Sequence, residues 1–149
     1  MGFIDSMINL GRNAGKISNN DILIAIWNDA FVQDFIINLN TNEQLFYGDL
    51  ANGGKMPEGN PNYIKAKGRR GSPDGISTNL LLDGDFYDSF DIQITSTGFV
   101  IIANTSIHGK DFVDLYGFDI LGLNDENLQK LINFIREDYK EELTKRIIC

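Results

Sequence analysis

The sequence predicts one α+β domain, in which a small antiparallel sheet with a central β-hairpin is packed by N-terminal helices and one long C-terminal helix. Residues 90–95 alternate apolar and polar side chains as a half-buried strand does, and a second β-rich run, 99–103, follows closely. Residues 22–39 are apolar almost all round, which is typical of a buried helix. Residues 124–147 begin with a capping signal and continue with apolar side chains at helical spacing.

The N-terminal part of the chain is predicted to be helical. Apolar residues within 3–10 suit a short helix, and the polar side chains of 18–20 offer N-cap oxygens for the helix over 22–39. Asn28 and Asp29 are placed to kink or divide this second helix, since both residue types favour caps and turns.

The helix over 22–39 has one strong apolar stripe, and its other apolar side is of the kind that often faces another subunit. The aromatic members of the stripe are Trp27, Phe31 and Phe35. After it, Thr41 and Gln44 form a capping-box pattern, which predicts a short helix over 42–47 that ends at Gly48.

Residues 48–75 are predicted to be a long loop, because they hold all three prolines and many of the glycines. Long loops inside compact domains are usually functional or disordered. Within this loop four basic side chains, with Tyr63 nearby, are able to contact phosphates or an acidic protein surface, and a merely solvated loop is an equal alternative. The basic side chains are Lys65, Lys67, Arg69 and Arg70.

A third strand is predicted over 76–82, ended by the structural turn Asp83, Gly84 and Asp85. In the hairpin that follows, Gly98 is expected to supply the positive φ of a tight connection.

Two helices are predicted after the hairpin. Residues 111–116 form a single turn that ends at Gly117, and Asn124 caps the long helix, with Asp125 and Glu126 at the positive end of its dipole. One face of the long helix is expected to be buried, and it carries Leu128, Leu131, Ile132, Ile135, Tyr139 and Leu143.

Composition limits the function classes. The chain has 149 residues, enough for one domain over 1–149, and a net charge of −8, which argues against a protein that coats nucleic acid. Its only cysteine is Cys149, so neither a disulfide framework nor a thiolate metal cluster is expected. No apolar run is long enough to cross a bilayer and no signal sequence is recognisable, so we expect synthesis in the cytoplasm and no membrane partner.

The aspartates around the hairpin are the main candidates for chemistry. Asp83, Asp85, Asp88 and Asp91 are able to hold Mg²⁺ or Ca²⁺, but their spacing does not match an EF-hand, and Asp has a structural use in turns. His108, the only histidine, is expected to be solvated. We therefore predict no catalytic residue, metal site or cofactor; the alternative is a small Mg²⁺-dependent hydrolase or nuclease that uses the carboxylates of 83–91.

Three segments, 37–46, 80–90 and 119–123, together resemble small virion proteins of tailed bacteriophages, namely the head–tail joining, tail-completion and neck class found in Bacteroidetes and crAss-like phages. Asp83, Gly84 and Asp85 stand where that class has Asp-Thr-Gly.

This resemblance implies a non-enzymatic structural subunit of the virion, made in the cytoplasm of the bacterial host. Its copies would form a hexameric or dodecameric ring that joins portal to tail and contacts the portal, an adjacent ring or tail proteins. DNA would pass through the ring without sequence-specific binding. The expected contact residues are the four basic side chains with Tyr63, and the aromatic stripe Trp27, Phe31 and Phe35.

Overall fold

The computed structural model describes residues 19–148, so the helix predicted over 3–10 and the cysteine at the last position lie outside the described residues. The described chain is an α+β fold, as predicted. Its helices are α1 (Asn19–Trp27), α2 (Ala30–Thr41), α3 (Pro61–Ala66), α4 (Asp85–Asp88), α5 (Phe112–Tyr116) and α6 (Asp125–Ile148). Its strands are β1 (Asp91–Ile94), β2 (Phe99–Ile102), β3 (Ser106–Ile107) and β4 (Lys110–Asp111). Short 3₁₀ helices cover Leu45–Tyr47, Gly68–Arg70 and Phe118–Ile120.

The predicted division of the N-terminal helix is confirmed at the expected residues. Asp29 is the N-cap of α2, and its carboxylate accepts a hydrogen bond of 2.8 Å from the amide of Phe31. The side chain of Asn28 donates to the carbonyl of Ile24, at the end of α1. The Asp29 side chain therefore satisfies an amide that the helix start leaves without a partner, while Asn28 adds a second donor to a carbonyl that its own amide also reaches.

The core lies where α1, α2 and the long α6 pack together under the β1–β2 hairpin. From α6 the residues Leu131, Ile135, Tyr139 and Leu143 are buried, as predicted, and Asn124 accepts a hydrogen bond from the amide of Asn127 at the helix start. The expectation that Leu128 belongs to the buried face is wrong, because Asn127 points inward in its place. Among the described residues no single helix is long and apolar enough to cross a membrane, and the one bent pair that meets the same test turns by 75°.

The predicted β-hairpin is confirmed. Strands β1 and β2 pair antiparallel with Ile92 opposite Ile101, and both of these side chains are buried. Gly98 does not adopt the positive φ expected for it, but the connection is tight as predicted, because the amide of Thr95 donates to the carbonyl of Gly98 at 2.9 Å with only residues 96 and 97 between them. A second, very small hairpin, β3–β4, turns at His108 and Gly109, which have φ values of 54° and 76°. Two successive positive φ values are what a two-residue hairpin turn of type I′ requires.

The predicted capping box is wrong. Thr41 is the last residue of α2 and its hydroxyl donates to the carbonyl of Ile37, so it does not start a helix. Gln44 reaches across the fold instead of back to its own helix, and only a 3₁₀ turn follows before Gly48 ends it with φ of 80°. The end at Gly48 was predicted correctly.

The third strand predicted over 76–82 is also wrong. Its only ladder contact within the described chain is an isolated bridge between Glu58 and Ser77. Leu80 has φ of 59°, which a strand does not allow, and the side chain of Asn79 forms hydrogen bonds with neighbouring backbone groups. These contacts hold the segment in an irregular conformation.

Two buried amide side chains attach the connection before α6 to the end of α2. Asn40 donates to the carbonyl of Ile120 and accepts from the amide of Gly122, at 3.1 and 2.7 Å. Gln44 donates to the carbonyl of Gly122 and accepts from the amide of Asn124, both at 2.8 Å. Each of these amide side chains therefore donates one hydrogen bond to the backbone of the connection and accepts one from it, as the backbone of a neighbouring strand would.

Candidate functional site

The segment 48–75, predicted as a long loop, contains ordered turns that place its side chains. Asn60 caps α3 by accepting hydrogen bonds from the amides of Asn62 and Tyr63. Further along, the carboxylate of Asp74 accepts hydrogen bonds from Ser77, through both its amide and its hydroxyl. These bonds hold the pKa of the Asp74 carboxyl below its usual range.

Asn79 fixes this segment to the core. It is completely buried, and its amide group donates to the carbonyls of Phe46 and Arg70. Its side-chain oxygen accepts from Lys67 at 2.6 Å, and its own carbonyl accepts from the hydroxyl of Tyr87 at 2.5 Å. Sequence reasoning missed this residue, although one asparagine directly before three leucines is a recognisable signal for a buried polar contact.

The four basic side chains of the segment divide into two kinds. Lys67 is half-buried, and burial together with the nearby Arg70 guanidinium lowers the pKa of its amine. Arg70 donates to the carbonyl of Leu82. Lys65 and Arg69 are exposed. Lys67 and Arg70 thus also stabilise the fold, whereas Lys65 and Arg69 are available to a partner.

A cleft of about 330 Å³ lies beside the basic side chains. Lys67 and Lys110 bring positive charge to it, and Glu58 brings one carboxylate. The ring of Tyr63 also lines it, with the Lys67 amine 5.9 Å from the ring centroid, a cation–π contact. Its apolar lining consists of Ile64, Leu80, Leu82, Phe112 and Tyr116. We call this site the basic cleft.

Lys110 joins the basic cleft from a strand more than forty residues after α3, so sequence reasoning did not associate it with the other cations.

The structure separates the three aromatic residues predicted as contacts. Trp27 is buried, and its ring meets Phe99 edge to face at 4.9 Å. Phe35 stacks on Phe134 at 3.9 Å, which covers part of its surface. Phe31 is 80 % exposed at the start of α2. Of the predicted stripe, only Phe31 presents most of its ring to solvent.

A second exposed apolar group lies in α5 and the 3₁₀ helix after it, where Phe118 is 77 % exposed and Leu115 is also exposed. Strand β2 also has two exposed apolar side chains, Val100 and Ile102. One edge of this strand is not paired with any other strand of residues 19–148. Sequence reasoning did not identify Phe118, because a lone aromatic side chain in a connecting segment gives no periodic signal.

The predicted turn at Asp83, Gly84 and Asp85 exists and leads into α4. Gly84 has φ of 95°, a conformation that glycine adopts without strain, and the Asp83 carboxylate accepts from the amide of Asp85 at 3.0 Å. His108 is exposed, as expected, but its Nε2 lies 2.8 Å from the Asp83 carboxylate and 4.0 Å from that of Asp85. The Asp85 amide and the His108 ring both lower the pKa of the Asp83 carboxyl.

Asp83, Asp85 and His108 are the described residues that are able to hold a metal ion together, since one ligand atom of each lies within 4.8 Å of the others. Two carboxylates with one imidazole suit Zn²⁺ or Mn²⁺ better than the Mg²⁺ expected from carboxylates alone. Asp88 and Asp91, which were considered with them, are not part of this group. The carboxylate of Asp91 instead accepts from the amide of Ile92.

An acidic groove lies at the break between α1 and α2. It is lined by carboxylates from two elements, Asp29 on one side and Asp138 and Glu141 of α6 on the other. Partial burial, followed by the charges of Asp29 and Glu141, raises the pKa of the Asp138 carboxyl. Among the described residues that line the groove Lys145 is the one cation, so carboxylates predominate there, and Asp29 of the groove precedes Phe31 by two residues.

Comparison with protein-family models, curated proteins and solved structures gives no match to this chain.

Proposed function

We propose that this chain is a non-enzymatic subunit of a phage head–tail connector, a neck or tail-completion ring that joins portal to tail around the DNA passage. The observation that carries the proposal is the exposure of two phenylalanine rings, Phe31 and Phe118, on separate parts of the molecule. Well-exposed aromatic side chains are typical of protein contact sites. Two such sites on one chain fit a subunit that contacts further copies of itself through one site and another protein of the junction, the portal or a tail protein, through the other.

The side chains of Phe31 and Phe118 lie near opposite ends of α2. Asn40, near the C-terminal end of this helix, is hydrogen bonded to Ile120, in the 3₁₀ helix that carries Phe118. Phe31 is nine residues earlier, about 14 Å along the helix axis. Phe31 and the segment that carries Phe118 are therefore separated by most of the length of α2.

The open edge of β2 supports the same function. Exposed strand edges with apolar side chains promote pairing with another chain, and monomeric proteins usually protect them. Val100 and Ile102 face solvent on this strand. In a ring, a segment of the adjacent subunit would complete the sheet.

The net charge of −8 fits a passage through which DNA moves, since a strongly basic lumen would hold the phosphates. The resemblance of segments 37–46, 80–90 and 119–123 to the neck class points in the same direction. The partners proposed on this basis are further copies of the chain, the portal, and adjacent ring or tail proteins.

Native mass spectrometry and electron microscopy of the purified chain test this function. We expect closed rings of six or twelve copies. A chain that remains monomeric at about 100 μM, with no closed assembly, would contradict the proposal, because only contacts weaker than roughly −5 kcal/mol escape detection there.

A second candidate function, a metal-dependent hydrolase or nuclease, has one observation in its favour. Asp83, Asp85 and His108 are arranged to hold one cation, and such an ion would be able to activate a water molecule. All three side chains are well exposed, which leaves a bound ion open to solvent.

The unique histidine makes this second candidate simple to test. Its ring resonances are followed by NMR during titration with Zn²⁺, Mn²⁺ and Mg²⁺, in the chain as given and in the Asp85→Asn variant. If the candidate is correct, Zn²⁺ shifts these resonances and Asp85→Asn weakens binding about tenfold or more. Asp114→Asn, which changes a carboxylate outside the group, is the control. Resonances that do not respond to any of the three ions remove the support for this function.

A further inference from the structure

We infer that the basic cleft of one copy receives the Phe31 side chain of the next copy, so that the subunits of the ring contact one another head to tail. This inference rests on the proposed ring function and deepens it by naming the two surfaces that meet. The occupant of the cleft is thus a second copy of this chain.

Phe31 has the properties of an aromatic anchor. It is 80 % exposed, and its backbone is held firmly because its amide donates to the Asp29 carboxylate at the start of α2. Asp34 is exposed one helical turn later on the same face. The surface that a partner must accommodate is therefore one aromatic ring flanked by two carboxylates.

The basic cleft has the complementary chemistry. Its volume of about 330 Å³ is at the small end of the range for ligand pockets, which suits one aromatic side chain rather than a large cofactor. Leu80 and Phe112 give it apolar walls, while Lys67 and Lys110 are able to pair with the carboxylates beside Phe31. Among the described residues that line the cleft, Glu58 is the only one with a carboxylate, so the two lysines determine the sign of their summed charge.

The fold places the Phe31 side chain far from the basic cleft, so one chain cannot fill its own cleft. Asn79, next to Leu80 of the cleft, is hydrogen bonded to the carbonyl of Phe46, just beyond the C-terminal end of α2. Phe31 is at the N-terminal end of the same helix, about 15 Å away along its axis. Contact between two different surfaces is heterologous, and such contacts produce closed rings when the rotation between subunits allows it.

Phe118 does not fit this role, although it is almost as exposed as Phe31. It follows Tyr116, which lines the basic cleft, by only two residues, so it lies on the same side of the molecule as the cleft. If the exposed aromatic side chain lay beside the cleft that binds it, two copies would pair as a two-fold dimer and would not close a ring of many subunits. Phe118 is therefore the matched control, with equal chemistry and a different expected result.

The test uses three full-length variants, each checked for its fold by circular dichroism and thermal unfolding. Phe31→Glu removes the anchor, and the double variant Tyr63→Glu with Lys110→Glu makes the cleft negative. The changed side chains are exposed in all three variants, so the core is preserved. Phe118→Glu is the control. Assembly is measured by native mass spectrometry for each variant alone and for a 1:1 mixture of the first two.

We expect Phe31→Glu and the double variant each to raise the subunit dissociation constant by about 30-fold or more, the effect of losing a central contact residue. Phe118→Glu should still assemble into rings. The 1:1 mixture should contain a heterodimer and nothing larger, because one subunit keeps a working cleft and the other keeps a working anchor.

Two results would overturn the inference while the ring function stands: assembly of Phe31→Glu equal to that of the unchanged chain, or absence of the heterodimer from the mixture. A monomeric unchanged chain would instead overturn the proposed function, and the inference with it. The two failures are therefore distinguishable within one set of measurements.

Discussion

At the scale of single residues, buried amide side chains hold together segments that have no regular backbone partner. Asn40 and Gln44 pair with 120–124, and Asn79 pairs with the segment that carries α3. A buried polar group without a partner costs about 1–3 kcal/mol, so each of these side chains is a point at which one substitution affects a whole segment. Asn79 has a further effect, because it also fixes the amine of Lys67 at the basic cleft.

Asp74 gives the first prediction, a dependence of stability on pH. Its bonds to Ser77 and Ile76 lower the pKa of its carboxyl in the folded state, so this stabilisation is present above pH about 4 and is lost as the pH falls further. At pH 7, Asp74→Asn should reduce the free energy of unfolding by about 1 kcal/mol, because hydrogen bonds to a charged group are lost. The difference from the unchanged chain should decrease between about pH 4 and pH 2.

Urea unfolding across this pH range measures the effect, and Asp34→Asn, at an exposed helical site, is the control. A difference that stays constant down to about pH 2 would show that the charge of Asp74 does not contribute.

At the scale of elements, the predictions that succeeded rest on local signals. Asp29 and Asn124 cap helices through side chains bonded to amides two or three residues away, and the period-two pattern around Ile92 needs only one buried face. The predictions that failed needed distant partners. Gln44 fits a capping box locally, but it is bonded to Gly122, seventy-eight residues later in the chain.

The candidate sites also contain parts that local sequence signals predict and parts that depend on distant residues. The turn at Asp83 and Asp85 could be predicted, since Asp and Gly have turn preferences of their own. Its neighbour His108 comes from a hairpin of only two residues in each strand, too short to give a periodic pattern. Lys110 reaches the basic cleft through the same hairpin. Which side chains meet across such separations depends on tertiary packing, which one sequence does not reveal.

The second prediction concerns how the end of α2 holds the connection before α6. Gln44→Leu keeps a similar side-chain volume but leaves the carbonyl of Gly122 and the amide of Asn124 without their partner. We expect a loss of about 2–4 kcal/mol in the free energy of unfolding, with the urea m-value unchanged. Amide exchange should accelerate first within 120–124.

The control for this prediction is Asn42→Leu, an exposed site two residues earlier, where we expect a change of less than about 0.5 kcal/mol. If Gln44→Leu lowers the free energy of unfolding as little as this control does, water must satisfy the two backbone groups, and the hydrogen bonds of Gln44 contribute little to stability.

At the scale of the whole molecule, charge and apolar surface are distributed unevenly. Phe31 lies beside the acidic groove of Asp29 and Asp138, whereas the basic cleft and the exposed Lys65 and Arg69 belong to the segment after α2. A chain with opposite charges at two contact surfaces attracts its own copies, even though its net charge of −8 makes copies repel at a distance. At physiological salt the repulsion between distant charges is largely screened, so the attraction between the close contact surfaces determines whether copies associate.

The third prediction separates two interpretations of the basic side chains, binding to phosphates and binding to an acidic protein surface. If they serve assembly, double-stranded DNA should bind with a dissociation constant weaker than about 100 μM at physiological salt, because the remaining surface is acidic. Fluorescence anisotropy with a labelled duplex measures this binding, for the unchanged chain and for the double variant Lys65→Glu with Arg69→Glu. Both proteins should give the same weak signal, while native mass spectrometry should detect weaker assembly only in the variant. Tight, salt-dependent DNA binding that the variant loses would instead assign these side chains to phosphates, and the acidic passage proposed for DNA would then be wrong.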